Sequence, residues 1–279
     1  MLTSNGYRLA DTPARLGELV PVPDHQRGDR DALWNRLRRD GYLFLPAQLD
    51  AGLVTEFRRH YFSALVGSGL ADGPDGHDSG GRLIDAPLLR KMLFGDIVPG
   101  TAYRKFCTQQ AIRGWFEWFY DDRVFLHKRK ILRHIRPGEA GIGTSTQAHY
   151  DLVYLREGTD RLLSAWIPLG DCPIERGPLI YLEDSHRYYT ERERAGDELP
   201  AASMTADLPR LADQADTRWL ISDFRAGDVM IHSPYMVHAS LDNADRDRMI
   251  RLSTDIRYQR AGDPIDWRWQ TDWHPDDGL

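Results

Sequence analysis

GDVMIHSPYMVHAS, Gly227–Ser240, is the stretch whose reading decides the fold. Ala226-Gly227-Asp228 is a turn. Asp228–Ile231 is a short apolar run that reads as a buried strand, and His238 follows after a Ser-Pro break. Outward from this stretch the same grammar recurs from Val124 to the end of the chain. Short runs at Ile131–Ile135, Ala148–Leu155, Leu162–Leu169, Leu179–Leu182 and Arg251–Tyr258 are separated by turn residues. That spacing predicts a β-sandwich or barrel. Arg187–Asp216 is charged and polar, and reads as an inserted helix and loop.

The N-terminal half follows a different pattern. Asp31–Arg39 reads as a helix with Leu33, Trp34 and Leu37 on one side, and Gly41–Pro46 as a buried strand. Asp50–Val66 reads as a helix capped by Asp50, with Leu53, Val54, Phe57, Tyr61 and Leu65 at helical spacing. Ala86–Phe94 and Ala102–Tyr120 read as helices. Residues 1–30 are an irregular lead-in. Gly67–Gly81 is a glycine-rich mobile loop, either a lid or unstructured. The expected class is α+β with a mainly β core. A helical part spans 31–123, a barrel core 124–260 and a tail 261–279, all within one domain, 1–279.

The chain has 279 residues, 41% of them hydrophobic, enough for one large core. A net charge of −6 without a basic stripe argues against a nucleic-acid surface. Cys107 and Cys172 form no CxxC pair, which fits a reducing compartment. Met1–Asp11 lacks a signal-peptide pattern, and no apolar run is long enough to span a bilayer. The expectation is a soluble cytoplasmic protein with a small-molecule substrate, no nucleic-acid partner and no membrane association. The oligomeric state stays open.

The chemistry centres on Gln147-Ala148-His149-Tyr150-Asp151. On a strand, positions i and i+2 point the same way, so His149 and Asp151 can present an imidazole and a carboxylate to one point. With a remote histidine they make a 2-His-1-carboxylate face that leaves open positions on a metal ion. An isolated H-x-D is a weak signal. His232 and His238 are the two downstream candidates for the third ligand.

Four pieces together carry a resemblance to the phytanoyl-CoA dioxygenase-like family of Fe(II)/2-oxoglutarate-dependent oxygenases. They are QAHYD at 147–151, WIPLGD from Trp166 with GPLIYLEDSHR from Gly177, GDVMIHSPYMVHAS at 227–240, and RLSTDIRY at 251–258. The similarity covers about residues 33–260. It implies a double-stranded β-helix, a jelly-roll or cupin-like barrel, with the N-terminal helices packed outside. It also implies a dioxygenase that uses Fe(II), 2-oxoglutarate and O₂ to oxidise an aliphatic carbon of a small biosynthetic molecule, with release of succinate and CO₂. Hydroxylation is the leading outcome; desaturation, cyclisation and epimerisation use the same centre.

Carried over position by position, His149, Asp151 and His238 match the metal ligands, and His238 is preferred to His232. Arg251 matches the arginine that grips the far carboxylate of 2-oxoglutarate, and Ser240 matches a helping hydroxyl. Trp166 is an inward core residue that also lines the co-substrate pocket. Arg251 lies two residues further from His238 than the family pattern has it. A longer loop at Asp242–Arg248 would restore the register; otherwise Arg246 or Arg248 takes the role. Because Asp151 fills the carboxylate position, a chloride-binding halogenase centre is disfavoured. His127 and His134 read as core or pocket residues, and Tyr103, Arg104 and Tyr154 as candidate substrate contacts. Trp267–Trp273 is either a packing strip or a lid. A zinc hydrolase could use the same three ligands but would not need Arg251 and Ser240. A non-catalytic binding barrel would bind neither iron nor 2-oxoglutarate.

Overall fold

The ten-residue strand Arg251–Arg260 organises the molecule. The computed structural model describes residues 1–81, 83–139, 141–198 and 200–277. In one sheet, strands run in the order Tyr42–Leu45, Val229–His232, Leu163–Pro168, Arg251–Arg260 and Val124–Leu126, and Ile131–Ile135 also pairs with Arg251–Arg260. A second sheet has the order His238–Ser240, Leu179–Leu182, Trp219–Ile221 and Leu16–Glu18. All pairings are antiparallel except that of Trp219–Ile221 with Leu16–Glu18. This is the β core of a double-stranded β-helix, with helices on the outside.

The two-residue period of a strand explains the layers. On the long strand, Leu252, Ile256 and Tyr258 enter a large apolar cluster. Leu163, Ala165 and Ile167 of one neighbour and Val229 and Ile231 of the next enter the same cluster. Helices Arg30–Asp40, Ala51–Leu65, Thr101–Cys107 and Gln110–Tyr120 supply Leu33, Leu37, Val54, Phe57, Tyr61, Phe106, Ile112 and Phe116 to it. Each fully buried side chain of this kind contributes roughly 1.5–3 kcal/mol. The alternate positions face the other way, into the space between the sheets. There Trp166, Tyr181, Met230, Tyr42 and Phe44 form a second cluster. Ile180, Leu182, Trp219, Ile221 and Ala239 cover the outer face of the smaller sheet.

Several local expectations needed correction. Ala148–Leu155 is not a strand: only Ala148 and His149 make isolated bridges, to Thr205 and His238, and Asp151–Val153 is a 3-10 turn. The N–H of Leu152 donates to the Pro234 carbonyl at 2.9 Å, which turns the chain away from the sheet. Ala102–Tyr120 divides into two helices. The Thr108 hydroxyl bonds the Arg104 carbonyl at 2.9 Å, and Gln109 is extended at ψ 153°. Ala86–Phe94 passes from an α-helix, Ala86–Lys91, into a wide π turn, Met92–Ile97. The barrel also draws strands Leu16–Glu18 and Tyr42–Leu45 from outside 124–260.

The glycine-rich segment folds into a short hairpin, Ala71–Asp72 with His77–Asp78, rather than a free loop. Asp78 accepts from Arg136 at 2.6 Å, and its N–H donates to the Arg248 carbonyl at 2.8 Å. The segment is thereby tied to the loop before the long strand. The tail is a packing strip at Trp269, which is buried against Ile131, Leu155 and Leu162. Cys107 and Cys172 are free thiols buried in the interior. Among the described residues no helix is long and apolar enough to cross a membrane.

Candidate metal centre

His149 and His238 come together because their backbones do. The N–H of each donates to the carbonyl of the other, at 3.1 and 2.9 Å, as an isolated antiparallel bridge. Their ring centroids are 4.4 Å apart. The turn at Asp151 then brings its carboxylate to the same point, with Oδ1 3.9 Å from His149 Nε2. One ligand atom from each of His149, Asp151 and His238 lies within 4.8 Å of the others. The i, i+2 presentation expected of a strand is replaced by a bridge residue followed by a helical turn.

Both imidazoles are fixed by the same device. Nδ1 of His149 lies 2.9 Å from the Gln147 carbonyl, and Nδ1 of His238 lies 3.0 Å from the Met236 carbonyl. A carbonyl only accepts, so Nδ1 carries the proton and Nε2 keeps its lone pair facing the cluster. Burial lowers the pKa of both rings, that of His238 well below the usual range. Neutral imidazoles are the form a metal takes.

Asp151 is fully buried and heavily hydrogen-bonded. Oδ1 accepts from Arg257 Nη2 at 2.7 Å; Oδ2 accepts from the Ser164 hydroxyl and lies 3.3 Å from His232 Nε2. Burial alone would raise its pKa. The Arg257 charge and the His232 hydrogen bond outweigh that and hold the carboxyl well below its usual range. His232, the rival third ligand, therefore stands behind the carboxylate, with Nδ1 3.4 Å from the Tyr181 hydroxyl. Arg257, Ser164 and His232 were not singled out as partners of Asp151 from sequence. The signal was present in RLSTDIRYQR, where Arg251, Ser253, Asp255 and Arg257 alternate with apolar or outward positions.

Arg251 is interior, 1% exposed, and donates from Nη1 to the Gly177 carbonyl at 2.8 Å. Burial lowers its pKa to about 10. Three inward polar groups of this region have no hydrogen-bond partner among the described residues: Arg251 Nε, Trp166 Nε1 and Ser253 Oγ. Buried donors without partners are costly, so these unpartnered groups fit an anion that is not part of the chain. Ser240 is buried on the inward face, where its hydroxyl accepts from the Thr146 N–H at 2.7 Å and keeps its own proton to donate. Arg248 reaches Asp78 instead, and Arg246 is exposed, so neither replaces Arg251.

A cavity of about 220 Å³ opens beside His149 and His238, lined also by Arg133, Tyr154, Asp255 and Arg257. Of the other candidates, Tyr103 is core, bonded to Thr254 at 2.5 Å, and Arg104 is exposed. His127 pairs with Gln259 at 2.8 Å and His134 with the Tyr61 hydroxyl at 2.6 Å.

A family model described as phytanoyl-CoA dioxygenase matches residues 37–250. The 1-deoxypentalenic acid 11-beta-hydroxylase of Streptomyces arenae is 24% identical over 272 residues, covering 95% of this chain and 92% of that one. Among solved structures, the epimerase SnoN, in complex with Fe3+, alpha ketoglutarate and nogalamycin RO, is similar with a TM-score of 0.56 and 23% identity. The match covers 90% of this chain and 91% of SnoN. EctD from S. alaskensis, with 2-oxoglutarate and 5-hydroxyectoine, has a TM-score of 0.56 and 17% identity over 93% of this chain and 84% of its own.

Proposed function

Since this chain belongs to the phytanoyl-CoA dioxygenase family, it is a non-haem Fe(II)/2-oxoglutarate-dependent dioxygenase, and we propose that His149, Asp151 and His238 hold its iron. One observation carries the assignment: two Nε2 lone pairs and one ionised carboxylate converge, each already oriented by a second hydrogen bond. Such a set leaves adjacent positions on the ion free. When bound, Fe(II) would supply the O₂ activation by which 2-oxoglutarate is oxidatively decarboxylated to succinate and CO₂.

The chain's own residues bind and orient. Arg251 grips the far carboxylate of 2-oxoglutarate, helped by the Ser240 hydroxyl. Trp166 Nε1 and Ser253 Oγ supply further donors from the same interior face. The partnerless nitrogens of Arg251 and Trp166 support this reading. Arg257, Ser164 and His232 occupy the other lone pairs of Asp151 and so favour one-oxygen ligation. The reaction proposed is hydroxylation of an aliphatic carbon in a small natural-product intermediate, within one domain spanning 1–279. The hydroxylase from Streptomyces arenae, similar over nearly its whole length, supports that choice.

Anaerobic titration of the Fe(II) protein with 2-oxoglutarate tests the assignment. A weak visible charge-transfer band should appear, and it should be absent in His149→Ala. A wild-type protein that binds neither Fe(II) nor 2-oxoglutarate would refute it. Substrate-stimulated succinate release would then identify the molecule oxidised.

A further inference from the structure

We propose that the substrate carries a carboxylate and that Arg133 receives it in the cavity beside the metal centre; this rests on the reading of that centre given above. Arg133 lies on strand Ile131–Ile135, in register with Ser253 of the long strand. It lines the same cavity as His149 and His238. Its guanidinium makes no hydrogen bond or ion pair with another described residue, although it carries five donors. Two other arginines of this interior face are each tied to the chain by one contact: Arg257 is on Asp151 at 2.7 Å and Arg251 is on the Gly177 carbonyl at 2.8 Å.

Burial is the largest influence on Arg133 and lowers its pKa; the Asp255 carboxylate opposes that effect and the Arg257 charge adds to it. Asp255 does not neutralise it by contact: no ion pair within 4.0 Å joins them among the described residues. These neighbours stand at the level of the metal ligands. Tyr154 packs edge-on to His149, with centroids 5.5 Å apart, and its hydroxyl is 2.9 Å from the Ser203 hydroxyl. Arg133 thus lines the cavity that His149 and His238 also line, and Arg251 is not part of that lining. A partly desolvated guanidinium with unused donors is matched best by a planar anion that accepts two hydrogen bonds. Ile131 and Leu179 line the same cavity and give a hydrocarbon body somewhere to rest. A carboxylate held at Arg133 would fix one end of the molecule and so select which carbon is presented to the metal.

The test uses Mn(II)-loaded full-length protein saturated with 2-oxoglutarate under argon. Calorimetry compares cyclohexanecarboxylic acid and adamantane-1-carboxylic acid with their methyl esters. In wild type at least one acid should bind roughly tenfold tighter than its ester, as expected for one charge-assisted pair. In Arg133→Met that preference should vanish, and Arg133→Lys should restore part of it. Affinity for 2-oxoglutarate, measured separately, should change little in both variants. No acid-over-ester preference in wild type, or a preference that survives in Arg133→Met, overturns the proposal. So does a loss of 2-oxoglutarate affinity in Arg133→Met, which would give Arg133 to the co-substrate. Failure of the underlying metal reading looks different: 2-oxoglutarate binding would then be indifferent to removal of Mn(II) by EDTA.

Discussion

Arg257→Met isolates the ion pair behind the proposed metal ligand. Arg257 Nη2 lies 2.7 Å from Asp151 Oδ1, with side-chain exposures of 3% and 0%. Removing one partner of such a buried pair costs about 3–5 kcal/mol, because the other charge stays buried and uncompensated. Arg257 also buries Nε and Nη1 without partners, and their removal offsets part of that loss. The lower end, about 3 kcal/mol, is therefore expected for the metal-free protein. For a chain near this size it corresponds to a fall in Tm of about 6–12 °C. Mn(II) supplies positive charge at the same carboxylate, so metal should raise the Tm of Arg257→Met by more than it raises that of wild type. Differential scanning calorimetry with and without Mn(II) measures both. A metal-free Tm within about 2 °C of wild type would refute the reasoning, since it implies that Asp151 does not depend on Arg257.

Asp151→Ala should abolish 2-oxoglutarate consumption while leaving the far-ultraviolet circular dichroism unchanged; retained consumption would contradict its role. Burial lowers the pKa of His134 to about 4 from the ordinary 6.5, so between these values the unfolded chain binds the extra proton. Stability should therefore fall as pH drops through this window, by about 2 kcal/mol at pH 5 from this residue. Urea midpoints at pH 7.5 and 5 should differ less in His134→Gln than in wild type. Gly177 adopts φ +78°, and a Cβ there would meet the Leu241 carbonyl oxygen at 2.6 Å. Gly177→Ala should be destabilised by more than about 1 kcal/mol and should weaken 2-oxoglutarate binding through the carbonyl that holds Arg251.

Short runs set off by turn residues were legible as strands in the sequence, and Ile131–Ile135 and Leu179–Leu182 have the boundaries expected. So were the helix starts marked by a capping aspartate: Asp50 accepts from the Leu53 N–H at 2.9 Å as expected. Turns made by contacts distant in sequence were not legible. Asp151 leaves the strand because Leu152 finds the Pro234 carbonyl, and no local residue announces that. The glycines of 67–81 suggested freedom, but Asp78 is held by Arg136 and Arg248 from far along the chain. At the candidate centre, the three proposed ligands converge as the motif suggested. Their supports were hidden for a physical reason. Arg257, Ser164 and His232 sit on three different strands, and only register brings them to one carboxylate.

Diffraction from crystals of the protein loaded anaerobically with Fe(II) and 2-oxoglutarate, recorded at the iron edge, is the most direct measurement. One anomalous peak should lie within bonding distance of His149 Nε2, His238 Nε2 and Asp151 Oδ1, with His232 still turned to the far oxygen of Asp151. A peak bonded to His232, or none among these side chains, would contradict the account.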